Sequence, residues 1–155
     1  MRSKKSPKQK LTEENDKIWS LLVRIRDMFT CQLCGKSSKH VEAAHIFGRS
    51  NKNTRWNIEN GIAVCYYCHR FKLHGGRMSE EEKIEFFKKH LGEEMYSILD
   101  NLRKQPVRFD VSFVLDWNYA LRVEFLNLTG MTYEEFLREL KNDDTILSRR
   151  WNRDL

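Results

Sequence analysis

Residues 31–76 read CQLCGKSSKHVEAAHIFGRSNKNTRWNIENGIAVCYYCHRFKLHGG, and the fold turns on what holds this stretch together. It begins with the pair Cys31 and Cys34 and nears its end with the pair Cys65 and Cys68. Between them the apolar patches are short, Val41 to Phe47 and Ile62 to Val64, separated by a polar loop from Arg49 to Asn60. Elements this small bury too little surface to stand alone, so a staple is expected. Two Cys-x-x-Cys knuckles about thirty residues apart suit one tetrahedral Zn²⁺ gripped from both ends of a loop. Four thiolates leave no open coordination position, so such a zinc would be structural. It would contribute on the order of 10 kcal/mol to folding. A redox dithiol, buried free cysteines, and His69 replacing Cys68 as fourth ligand stay open on spacing alone.

Outside this stretch the composition is that of a globular chain. Of the 155 residues, 40% are hydrophobic and 12% aromatic, well above a disordered composition, and no run approaches the roughly 20 apolar residues of a membrane span. No apolar run follows the basic N-terminus to suggest a signal peptide, so a soluble, cytoplasmic protein is expected, and a reducing compartment favours metal over disulfides. The net charge of +6 is unevenly placed. Residues 31–77 hold eight Lys/Arg against Glu42 and Glu59, and four of the five histidines lie there, whereas residues 78–155 are net acidic. A polyanionic partner, DNA, would therefore meet the cysteine-bearing segment.

The chain divides into three parts. Residues 1–10 (MRSKKSPKQK) read as a disordered basic arm, and residues 11–77 as the module with a preceding helix capped by Thr12 and carrying Ile18, Leu22, Ile25 and Phe29. Residues 78–155 read as helical. Ser79 with Glu82 opens a helix that stops at Gly92, a second runs from about Glu93 to Arg103, Asp110 caps a third that ends at Gly130, and Thr132 with Glu135 opens a fourth. Their apolar stripes call for burial, either on the module or in a homodimer interface, and Trp151 reads as docked or idle.

Between the knuckles, His45 ends a short apolar strand, Asn60 precedes another, and His69 follows the second knuckle. That order resembles the HNH, or ββα-metal, nucleases. The stretch from TRW through CYYCHRFK, with the preceding knuckle, is most similar to the phage NinG (Rap) recombination endonucleases; the resemblance covers residues 31–76. It implies an α-rich α+β protein built on a small zinc-stapled ββα-metal module between an N-terminal helix and a C-terminal helical region. It further implies metal-dependent hydrolysis of phosphodiesters in duplex or branched DNA, giving 5′-phosphate and 3′-hydroxyl ends. His45 would be the general base, Asn60 would orient the base loop, and His69 would ligate a catalytic Mg²⁺ or Mn²⁺.

The residues themselves are suited to that chemistry, since a base and one divalent ion can activate water and stabilise both the phosphoryl charge and the leaving oxygen. Two positions depart from the pattern. Many HNH enzymes place a metal ligand immediately before the catalytic histidine, where this chain has Ala44. A second ligand on the face of His69 is expected four residues on, where it has Leu73; His74, five residues on, is the candidate. Arg49, Lys52, Arg55, Arg70 and Lys72 would contact phosphates, and Trp56 would anchor the loop in the core. Rival readings are a sequence-reading restriction or homing-type nuclease and a non-catalytic zinc-ribbon DNA-binding module.

Overall fold

The computed structural model describes residues 4–143 and 145–151, which form α1 (Pro7–Arg26), β1 (Glu42–His45), β2 (Gly61–Val64), α2 (Glu80–Leu91), α3 (Glu93–Arg103), α4 (Val111–Thr129), α5 (Tyr133–Asn142) and α6 (Ile146–Trp151). The described residues are helix-rich, with one two-stranded sheet among them. No described helix is long and apolar enough to cross a membrane.

The first helix starts earlier than its pattern of apolar residues suggests. Ser6 accepts the Gln9 N–H at 3.2 Å, the Gln9 side chain accepts the Ser6 N–H at 2.8 Å, and Pro7 takes the first helical position. This capping box with a proline at its start sets the boundary ahead of Thr12, so the arm expected over residues 1–10 is helical from Pro7 onward. Residues 1–3 lie outside the described residues. Lys8, inside that first turn, donates to the Phe109 carbonyl and ties the helix start to the segment leading into α4.

The helices beyond the module form where their caps predict. Ser79, Asp110 and Thr132 each accept an N–H three residues on, and Gly92 and Gly130 end α2 and α4. Helix α4 lies along α1, where the buried amide of Asn15 donates to the Val114 carbonyl at 2.9 Å and accepts from Asn118 at 2.8 Å. Val114, Leu121 and Phe125 join Ile18, Leu22 and Val23 in one core, closed by Phe136, against which Trp151 packs at 5.8 Å between ring centres. The opposite stripe of α4, Val111, Leu115, Tyr119 and Val123, is exposed.

The sheet sits between two cores. β1 and β2 pair antiparallel with Glu42 opposite Val64 and His45 opposite Gly61. Ala63 joins the α1 core, while Ala44, Ile62 and Val64 face a second cluster with Cys31, Cys68, Leu73 and Phe87. Two strands of four residues are marginal in water and need support from both sides. The end of α1 supplies one side. Asp27, almost fully buried, accepts the Ala63 N–H at 2.7 Å, and Arg26 donates to the Ile58 and Gly61 carbonyls at 2.7 Å each while pairing with Asp27. Met28 and Phe29 then adopt positive φ (53° and 50°), a conformation L-residues rarely take, and turn the chain toward the first knuckle.

The helix expected after the second strand is present over Cys68–Leu73, but with π rather than α geometry. Each π hydrogen bond spans five residues, as in His74 N–H to the His69 carbonyl at 3.2 Å.

Gly61 allows the closest approach in the sheet. A Cβ there would meet Trp19 Cζ2 and Val23 Cγ2 at 2.6 Å each, so α1 can lie on β2 only because this residue has no side chain. Gly61→Ala is expected to cost about 2 kcal/mol by overpacking. Gly48→Ala, whose nearest neighbour is Ser50 Oγ at 3.9 Å, should cost little by comparison. Urea unfolding of the two variants checks this; equal stabilities would contradict the packing described.

Candidate functional site

The four cysteines converge. Their sulfurs all lie within 4.8 Å of one another, and among the described residues they form the only group of three or more His, Cys, Asp or Glu close enough to hold a metal ion. Cys34 Sγ and Cys65 Sγ are 3.8 Å apart. That separation is too long for a disulfide and matches the edge, roughly 3.8 Å, of a tetrahedron with metal–sulfur bonds of ~2.3 Å. The donor set is thus compatible with structural zinc. Cys68 rather than His69 is the fourth member, and four thiols meeting at one point are neither an isolated redox pair nor scattered core residues. Backbone geometry prepares the cage: the Lys36 N–H, donating to the Cys34 thiol, draws its pKa down to about 7, whereas burial pushes Cys31 and Cys68 up. The first knuckle is fastened to the sheet by the Gln32 N–H, which donates to the Ala63 carbonyl at 2.9 Å.

The histidines converge separately. A cleft of about 490 Å³ between α1, β1 and the π turn is lined by Asp16, Trp19, His45, Arg49, His69 and His74, among others. A neighbouring cleft of about 480 Å³ shares His45, Gly48 and His74 and extends to Lys83 and Arg103. The His69 and His74 rings are 4.9 Å apart. Five residues would separate two side chains on an α-helix, but the π turn brings them onto one face, and this removes the spacing objection to His74. Gly75 makes the turn's exit feasible, since a Cβ there would strike the Arg70 carbonyl oxygen at 2.7 Å.

His45 is held on two sides. Its ring stacks on Trp19 with centroids 3.9 Å apart and planes 12° from parallel, and the Trp19 indole N–H donates to the Asn57 carbonyl at 2.9 Å. Its Nε2 is 2.9 Å from the Arg55 carbonyl oxygen. A carbonyl can only accept, so Nε2 carries the proton and Nδ1 keeps the lone pair. Burial lowers the His45 pKa, opposed by the hydrogen bond to Arg55 and by the charge of Asp16. Burial, then the neighbouring His69, lowers His74 as well.

Asn60 is fully buried and laces the loop between the strands. Its Nδ2 donates to the Phe47 and Thr54 carbonyls at 2.9 and 3.0 Å, and its Oδ1 accepts the Phe47 N–H at 2.8 Å. The residue therefore fixes the segment after His45 rather than holding the ring itself; that contact falls to the backbone of Arg55.

The basic residues divide. Arg49 is exposed and lines the histidine cleft; Arg70 is exposed and Lys72 half-buried on the π turn. Lys52 lies over the Phe109 ring at 4.9 Å. Arg55 is engaged inside the protein. It donates to both carboxylate oxygens of Asp16 at 2.9 and 2.7 Å, while the Trp56 indole donates to the same Asp16 at 2.8 Å. Its side chain is only 12% exposed, so this arginine aims the carbonyl that holds His45 instead of facing a ligand. Trp56 is fully buried, as an anchor should be.

Three site residues gave no warning in the sequence. Glu42 on β1 reaches His69 Nδ1 at 2.5 Å, which leaves Nε2 as the nitrogen able to bind a ligand. Asp16 and Trp19 come from α1, thirty residues before the loop they organise. Their positions fall among the apolar and acidic residues of an ordinary amphipathic helix, so only the folded arrangement identifies them. Ala44 is buried in the second cluster and offers nothing to the cleft.

Comparison of the chain with protein-family models, with curated proteins and with solved structures finds no match in any of the three.

Because folding lowers the His45 pKa, protonating the ring opposes folding. The stabilisation is complete above about pH 6.5 and is lost as pH falls through the folded-state value. Histidine NMR titration should give His45 a midpoint below 6.5 with Nε2 protonated at neutral pH. A midpoint above 6.5, or a proton on Nδ1, would contradict the arrangement.

Proposed function

We propose that the protein is a metal-dependent DNA endonuclease of the HNH type, with a structural zinc in the four-cysteine cage and His45 as general base. The observation that carries this reading is the meeting of His45, His69 and His74 in one cleft. One ring keeps a free lone pair on a fixed nitrogen, and the other two lie side by side. A proton acceptor must sit within reach of a water, be neutral at working pH and be held in one orientation. His45 meets the last two conditions through its burial, its Trp19 stack and its Arg55 hydrogen bond.

His69 through Nε2, together with His74, would hold the divalent ion; Glu42 fixes the tautomer and ring angle of His69, as a carboxylate behind a metal-binding histidine does. When bound, that ion would stabilise charge on the phosphoryl and leaving oxygens. With Ala44 withdrawn and imidazoles as the protein donors, the set suits Mn²⁺ better than Mg²⁺. Arg49 at the cleft mouth would contact a substrate phosphate. Cleavage to 5′-phosphate and 3′-hydroxyl ends, on branched DNA in recombination, belongs to the same proposal and is supported by the likeness of residues 31–76 to the phage recombination nucleases.

The competing reading is a zinc-stapled module that binds DNA without cutting it, and the spent position at Ala44 favours it. Plasmid nicking with Mn²⁺ separates the two. Wild type should nick, and His45→Ala should lose at least about a hundredfold, the usual size of a general-base contribution, while retaining one zinc per chain. Glu42→Gln should weaken Mn²⁺ binding about tenfold in a titration followed calorimetrically. Full nicking by His45→Ala would overturn the assignment of the base. No nicking by wild type with any divalent ion, alongside tight DNA binding, would select the binding module.

A further inference from the structure

The π turn has a second population of side chains that the histidine cleft does not use. Tyr66, Tyr67 and Phe71 are 59%, 46% and 42% exposed, three large aromatic side chains within six residues. The Tyr67 and Phe71 rings pair at 5.3 Å. Guanidinium groups lie against them: Arg70 is 5.8 Å from the Tyr66 ring, and Arg77 is 5.4 and 5.6 Å from the Tyr67 and Phe71 rings while also donating to the Tyr67 hydroxyl. Beside them a groove of about 460 Å³ runs between the two knuckles, lined by Lys36, Ser38, His40, Tyr66 and Tyr67 among others. Neither residues 31–41 nor residues 65–77 contain an Asp or Glu, whereas they hold Lys36, Lys39, Arg70, Lys72 and Arg77.

Burying an aromatic ring is strongly favourable, so three left at the surface of one short turn leave a large apolar area for a partner. The Lys and Arg side chains of these two segments face no Asp or Glu within them, so the partner they favour is an anion. An anion that also presents flat apolar faces is a nucleic acid with its bases unstacked. Duplex DNA hides those faces inside its own stack and could offer this surface only phosphates. Rings that accept any base, flanked by cations that follow the backbone, are the means by which single strands are bound without sequence preference.

We infer that the aromatic and basic face formed by Tyr66, Tyr67, Phe71, Arg70 and Arg77, with the groove lined by Lys36 and His40, binds unpaired DNA. The site sits on the same helical turn as His69 and His74. The inference rests on the nuclease reading for DNA as the polyanion, and it names the substrate class: DNA in which paired and unpaired segments meet.

Fluorescence anisotropy without added divalent ion tests it, using labelled oligo(dT) of about 12 nucleotides and a duplex of equal length. The single strand should bind about tenfold tighter than the duplex. The double variant Tyr67→Ala/Phe71→Ala should lose about tenfold on the single strand and change the duplex less than about twofold, and Tyr67→Phe, which keeps the ring, should bind as wild type. Zinc content and melting temperature verify that the variants fold. Should the double variant lose its zinc, Tyr66→Ala at the most exposed of the three rings carries the test, with a loss of about threefold or more. Equal affinity for both DNAs, or unchanged single-strand binding by the variants, overturns the inference and leaves the nuclease reading intact. Failure of wild type to bind either DNA overturns both.

Discussion

Four thiols meeting within 4.8 Å of one another, at the far side of a hairpin only four residues deep, are the constraint on which the rest of the molecule depends. One knuckle follows α1 and the other follows β2, so closing the cage fixes the two ends of the loop that carries His45 and Asn60. The opposite side of the hairpin is clamped by the end of α1, through Arg26, Asp27 and the packing of Trp19 over Gly61. Remove either clamp and β2, buried along its whole length, loses the support of one of its two faces.

The same two clamps set the chemistry. Trp19 reaches His45 because Gly61 lets α1 approach, and the Arg55 carbonyl reaches the same ring because Asp16, also on α1, holds the guanidinium. On the other side the second knuckle leads directly into the π turn, whose wide repeat places His74 beside His69. The two histidine groups are arranged differently: His45 is held by residues distant from it in the sequence, whereas His69 and His74 are paired by the turn they sit on and tied to the sheet by Glu42.

This division explains what the sequence revealed. The knuckles, the strands on either side of Asn60 and the caps at Ser79, Asp110 and Thr132 are local signals, each a few residues long, and the structure forms them where they are written. The start of α1 lies ahead of Thr12 because the capping box at Ser6 outranks an isolated threonine. In sequence Arg55 looks like a phosphate contact, as any cation in a basic loop does, and only its distant partner Asp16 distinguishes it. Glu42, Asp16 and Trp19 act across 26 or more positions of chain, where no periodicity reports them. The five-residue spacing of His74 from His69 is unfavourable on an α-helix, and the π geometry removes that obstacle.

Two metals are proposed for two separate donor sets, zinc for the thiols of the staple and manganese for the imidazoles of the cleft. Anomalous diffraction from crystals soaked in Mn²⁺, recorded at the zinc and manganese edges, tests that division most directly. It should show zinc among the sulfurs of Cys31, Cys34, Cys65 and Cys68, and a separate manganese peak beside His69 and His74. A cleft without manganese, or zinc displaced onto the histidines with the thiols empty, would contradict it.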